Sequence, residues 1–182
     1  ETDKDTIINL TNHSYFNLDG AENSGENSVA EHVAQLPNST KYTPVNELAI
    51  PTGELADVEG TKYDFRAEKT LTENFDMNFV VDGYDGVKMI DVAHVKSPKT
   101  GIQLSVSTNL PGFQFYTAEN LGKEEQPVGK DGKKYEKRSS FCVEPQFFPD
   151  AINSFDEKPI LKSGEKFNRE IVYSFGLFQQ EK

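Results

Sequence analysis

The chain contains no tryptophan, only two methionines and a single cysteine, Cys142. One thiol cannot close an internal disulfide, and secreted chains more often carry paired cysteines, so a cytoplasmic setting is expected. Three Asn-x-Ser/Thr sequons, at Asn9, Asn12 and Asn38, then read as chance matches. No apolar run approaches the ~20 residues that span a bilayer, and the charged opening at residues 1–5 is unlike a signal peptide. Arginine is sparse and dispersed, at Arg66, Arg138 and Arg169. Basic residues number 19 against 30 acidic ones, for a formal net charge of -11. Nucleic acid and anionic membrane are held largely by basic faces that neutralise phosphate. With no dense Lys/Arg cluster, neither is an expected partner. The same charge balance is silent about a neutral ligand such as a sugar.

Signatures of cofactor chemistry are absent too. There is no GxxxxGK[ST], no GxGxxG, no CxxC, no HExxH and no GxSxG. The three histidines, His13, His32 and His94, have no close metal-ligand spacing. No metal, no nucleotide and no other cofactor is therefore expected, nor an acyl-enzyme intermediate.

What is present suits a folded chain whose core leans on aromatic rings: 13 Phe and 7 Tyr in 182 residues, of which 35% are hydrophobic. That length fits a single domain over 1–182. Short strand-like runs recur between turn residues. Residues 87–95 are mostly apolar, 97–101 (SPKTG) turn the chain, and Ile102, Leu104 and Val106 then alternate with Gln103, Ser105 and Ser107. That is the period of a half-buried strand. Further strands are expected within 6–18 and at 33–36, 78–81, 113–117, 141–144 and 171–175. A loop is expected at 19–28, and a polar excursion at the sheet edge over 122–140. No window of 12 or more residues keeps a helical period. The pattern predicts an all-β fold, an antiparallel β-sandwich or barrel.

Three segments carry chemistry. Residues 11–18 (TNHSYFNL) place the imidazole of His13 beside Asn12, Asn17, Tyr15 and Phe16. Histidine moves protons near neutral pH, aromatic rings offer a platform for the C–H face of a sugar, and amides satisfy hydroxyls. Glu144 follows an apolar triplet on a buried strand, where a carboxylate costs free energy unless it is paired or functional. Asp76 sits between Phe75 and Met77. Each residue also fits a plain structural role: His13 a hydrogen-bonded core histidine, Glu144 a strand end facing water, Asp76 a turn aspartate.

Taken together, the segments resemble the galactose mutarotase (aldose 1-epimerase) family. Residues 12–18 (NHSYFNL) are similar to its long NHxYFNL signature, 50–53 (IPTG) to its IPTG loop, and 75–79 (FDMNF) to its aspartate segment. Residues 111–117 (PGFQFYT) resemble its PGxQFYT strand, and Glu144, Pro145 and Gln146 with Pro149, Asp150 and Ala151 its glutamate segment. The matches run in family order from Ile7 to Phe175.

The resemblance implies a galactose mutarotase-like supersandwich and an aldose 1-epimerase, an isomerase interconverting the α and β anomers of D-galactose and D-glucose. In that reading His13 is the general acid that protonates the ring oxygen, and Glu144 is the general base that takes the proton of the C1 hydroxyl. Asp76 and Gln114 bind sugar hydroxyls, with Asn12 and Tyr15 also in the substrate site. The family's preceding half supplies an arginine, usually beside an asparagine, and a second histidine, none of which has a match here. The chain is therefore expected to be the C-terminal part of such a sandwich, lacking its N-terminal strands, with an N-terminal half or a fused domain as its partner besides the monosaccharide. Two other readings stay open. A hexose-6-phosphate 1-epimerase would need clustered arginines, and a non-catalytic sugar-binding or regulatory protein of the same fold would not need both His13 and Glu144.

Overall fold

The structure, a computed structural model, describes residues 1–123 and 128–178. Part of the expected excursion, 124–127, lies outside the described residues.

Twelve short strands form among the described residues, and every pairing between them is antiparallel. β1 (Thr6–Ile7) and β11 (Ile160–Leu161) make a two-stranded ribbon. One five-stranded sheet runs β10 (Cys142–Gln146), β9 (Gly112–Tyr116), β6 (Asp76–Val80), β3 (Lys41–Tyr42), β4 (Ala56–Asp57). The other runs β12 (Ile171–Leu177), β8 (Ile102–Thr108), β7 (Ile90–Lys96), β2 (Val33–Gln35), β5 (Lys69–Thr70).

Alternation decides what each strand buries. In β8, Leu104 and Val106 are fully buried while Gln103, Ser105 and Ser107 are half-buried. In the first sheet, Met77, Phe79, Phe113, Phe115 and Val143 point one way, into a core shared with Ala34, Val92, Val95, Leu104 and Val106 of the second sheet. The two sheets are thus the layers of a β-sandwich, as the all-β expectation requires. The Tyr173 hydroxyl of β12 donates to the Val143 carbonyl of β10 at 2.8 Å, tying the layers together at one edge. Pro145 has no N–H to give, and β10 accommodates it because β10 is the sheet's edge. Gly112 is required where it stands: a Cβ there would lie 2.6 Å from the Phe148 ring.

The hairpin of β7 and β8 forms as the sequence predicts, with a register shift between Asp91 and Ala93. Residues 6–18 do not form one strand. Only Thr6–Ile7 joins a ladder, and the polar stretch beyond it touches a sheet again at Phe16 alone. Among the described residues there is one α-helical turn, α1 (Ala151–Ser154), where the sequence predicts none. Within the excursion, Arg138 is buried and donates to the carbonyls of Leu71, Thr72 and Glu73, so residues 136–140 are pinned to the body of the sandwich.

Candidate active site

The registers of β10, β9 and β6 bring distant residues into rows. Glu144 lies opposite Gln114, and Gln114 opposite Asn78. One step along, Cys142 lies opposite Tyr116, and Tyr116 opposite Asp76. Period two puts both rows on the face away from the aromatic core. This face floors a cleft of about 420 Å³, lined also by His13, Thr43, Gln146 and the rim loop carrying Val45, Ala49 and Pro51.

His13 reaches the cleft from the irregular segment before Phe16. Upstream, the Asn9 amide exchanges two hydrogen bonds with the Phe147 backbone, at 2.9 and 3.1 Å. Downstream, Phe16 and Phe141 exchange backbone bonds at 2.8 and 2.9 Å. Between these anchors, Asn12 Oδ1 accepts from the N–H and the hydroxyl of Ser14, at 3.0 and 2.7 Å. That Asx turn presents His13 at its apex. Tyr15 stacks on the imidazole, with centroids 5.0 Å apart, and meets Tyr116 edge-on.

The result is a contact of 3.4 Å between His13 Nε2 and Glu144 Oε1. Half of the His13 side chain is exposed, whereas Glu144 is only 6% exposed. Burial raises the Glu144 carboxyl above its ordinary range; His13 opposes that shift and Asp76 adds to it. Gln114 Nε2 donates to Asp76 Oδ1 at 2.6 Å. Burial, reinforced by Cys142, Tyr116 and Glu144 and Asp76, pushes the Tyr15 hydroxyl up to about 12, so it stays a donor.

Of the six residues singled out in the sequence, His13, Glu144, Asp76 and Gln114 line the cleft. Tyr15 buttresses His13. Asn12 does not line the cleft; its side chain builds the turn, beside a separate groove with Leu10 and Phe167. The residue missed is Asn78, 2% exposed. Neither its amide nitrogen nor its oxygen has a partner within the described chain, and neither does Gln114 Oε1. Such orphaned groups cost on the order of 1–3 kcal/mol each, and they supply unspent polar capacity at the cleft floor. The signal was available: Asp76 and Asn78 are two apart on one strand.

A ring nitrogen of His13, Cys142 Sγ and a Glu144 oxygen lie within 4.8 Å of one another, the one such donor group among the described residues. Burial and the carboxylates of Glu144 and Asp76 raise the Cys142 thiol far above its usual range, so it stands here as a neutral S–H. Among the described residues, the cleft lining holds no lysine or arginine. Arg66 is engaged by Asp64 and Glu59, and Arg138 by backbone carbonyls. A larger cavity of about 500 Å³, bounded by Tyr15, Asn17, Lys130 and Tyr135, is lined by no carboxylate or imidazole among the described residues. In the cleft, by contrast, an imidazole and a buried carboxylate meet at 3.4 Å.

The fold is thus an antiparallel sandwich in which an imidazole and a buried carboxylate meet over a polar sheet face. The chain belongs to the aldose 1-epimerase family, whose model matches residues 1–174. Galactose mutarotase from Bos taurus is 37% identical over 181 residues, which take in 94% of this chain and 51% of that protein. Aldose 1-epimerase from Escherichia coli (strain K12) is 32% identical over 188 residues, 95% of this chain and 52% of that one. Among solved structures, an aldose epimerase homologue from C. elegans superposes with a TM-score of 0.82 at 30% identity, covering 96% of this chain and 53% of that one. A galactose 1-epimerase from Lactobacillus acidophilus gives 0.73 at 26% identity, covering 98% and 51%. The chain thus spans about half the length of the relatives it matches.

Proposed function

We propose that this chain carries the proton-transfer pair of an aldose 1-epimerase acting on free hexoses such as galactose and glucose. The observation that carries the reading is the 3.4 Å contact of His13 with Glu144 above a cleft floor where the Asn78 amide and Gln114 Oε1 lack partners within the described chain. Opening a cyclic hemiacetal requires one proton to leave the anomeric hydroxyl and one to arrive at the ring oxygen. Both oxygens are bonded to C1, so acid and base must converge on neighbouring atoms, as this pair does. Glu144 takes the hydroxyl proton and protonated His13 delivers one to the ring oxygen. Rotation about C1–C2 presents the other carbonyl face, and the same groups working in reverse close the second anomer. Asp76, Gln114 and Asn78 offer both acceptors and donors to the remaining hydroxyls.

The absence of cationic side chains from the lining favours a neutral sugar over a hexose 6-phosphate. Magnetisation exchange between the α and β anomeric protons of galactose and of galactose 6-phosphate tests this in the protein that carries these residues. Faster exchange for galactose alone is expected. Faster exchange for the phosphate would shift the substrate class, and sugar binding without exchange would make this a binding protein.

A further inference from the structure

His32 lies outside the cleft, and the mechanism above gives it no part. It is 1% exposed, and its Nε2 accepts the backbone N–H of Leu18 at 3.1 Å. A backbone N–H can only donate, so the acceptor nitrogen is bare and the ring's proton sits on Nδ1. Burial lowers the proton affinity of His32, against the carboxylates of Asp19 and Glu31, which favours this neutral form. The carbonyl of the same Leu18 accepts from the Thr100 hydroxyl at 2.9 Å. The imidazole also packs on the Phe141 ring, centroids 5.9 Å apart. Phe141 is the residue that bridges to Phe16, just ahead of the strand bearing Glu144. His32 therefore stands where the segment carrying the acid meets the strand carrying the base.

Resting on the reading of His13 and Glu144 as acid and base, we propose that His32 is a positioning residue for the reaction: by accepting the Leu18 N–H it fixes the register of residues 13–18 against β10, and so the distance between the two proton-transfer groups. The sugar-binding amides and Asp76 sit on β6 and β9, which this bond does not touch, so its loss separates catalysis from binding.

The test is steady-state mutarotation by the protein that carries these residues, as wild type, His32→Leu and His32→Gln. Leu removes the acceptor; Gln places a non-titrating carbonyl near the position of Nε2. His32→Leu is expected to lower kcat by roughly 10- to 100-fold, the scale of sub-ångström to 1 Å misplacement, with KM within about threefold of wild type. His32→Gln is expected to recover most of that loss. Unchanged kcat in a folded His32→Leu protein overturns the inference, as does an equal change in kcat and KM. Should the Leu variant not fold, His32→Gln decides: near wild-type kcat supports the role, and a folded Gln variant as slow as His13→Ala overturns it. A wild-type protein with no activity would instead overturn the acid–base reading itself, so the two failures are distinguishable.

Discussion

At the scale of single residues, Glu144 is where the account is most exposed. It is buried, its proton affinity is raised mainly by that burial, and it must be ionised to act as a base. Activity should therefore fall as pH drops through a value above that of an ordinary glutamate, and a pH profile of kcat/KM reads this directly. The same shift has a stability consequence of fixed sign. A carboxyl whose proton affinity is higher in the folded than in the unfolded chain favours folding below its unfolded pKa, and that advantage is lost as pH rises through the folded value. Glu144→Gln should thus raise Tm relative to wild type at neutral pH, by a margin that shrinks towards pH 4; an equal Tm difference at both pH values would contradict it. Much of this site was legible in the sequence, because His13, Glu144 and Asp76 lie in segments dense with chemistry, and the family resemblance added Gln114. Asn78 was not singled out, although its place two residues after Asp76 on one strand puts both on the same face. Asn12 stood out for its amide, and in the structure the oxygen of that amide is engaged by the local turn at Ser14.

At the scale of elements, β9 shows how one strand divides its duties. Gln114 faces the cleft, while Phe113 and Phe115 face the core. Phe115 is fully buried, with the rings of Phe65 and Phe75 at centroid distances of 5.6 and 6.3 Å. Phe115→Ala should cost about 3–5 kcal/mol of stability, whereas Gln114→Ala should cost little stability and act on sugar affinity. Denaturant midpoints for the two variants test the register, and comparable losses from both would contradict it. Strands with clear alternation, such as β8, were legible in the sequence. The two-residue strands β3, β4, β5 and β11 were not, because a pair of residues carries no period. The 6–18 segment read as a strand since its apolar residues are β-formers, yet the polar run at 11–14 gives it no continuous ladder to join.

At the scale of the whole molecule, the dominant fact is size: the chain covers about half of each relative. Its sheet edge at β12 exposes Phe175 by 59% and Leu177 by 77%, and Leu10, beside the acid-bearing segment, is 63% exposed. An open, apolar sheet edge favours association and loose packing when nothing covers it. Expressed as these 182 residues alone, the chain should bind 8-anilinonaphthalene sulfonate and melt without a sharp transition; a cooperative two-state melt with no dye binding would contradict this. The all-β class was readable from the sequence because turn signals punctuate the whole chain. The pairing of β10 with β9 and of β9 with β6, which makes the cleft, was not, because register between strands so distant in sequence is set by packing. The most direct measurement is polarimetry of freshly dissolved α-D-galactose with the protein that carries this chain, as wild type and as Glu144→Gln. Acceleration by the wild type, lost by at least 100-fold in the variant while sugar binding persists, is the expected result; equal acceleration by both proteins would contradict the assignment of Glu144 as the base.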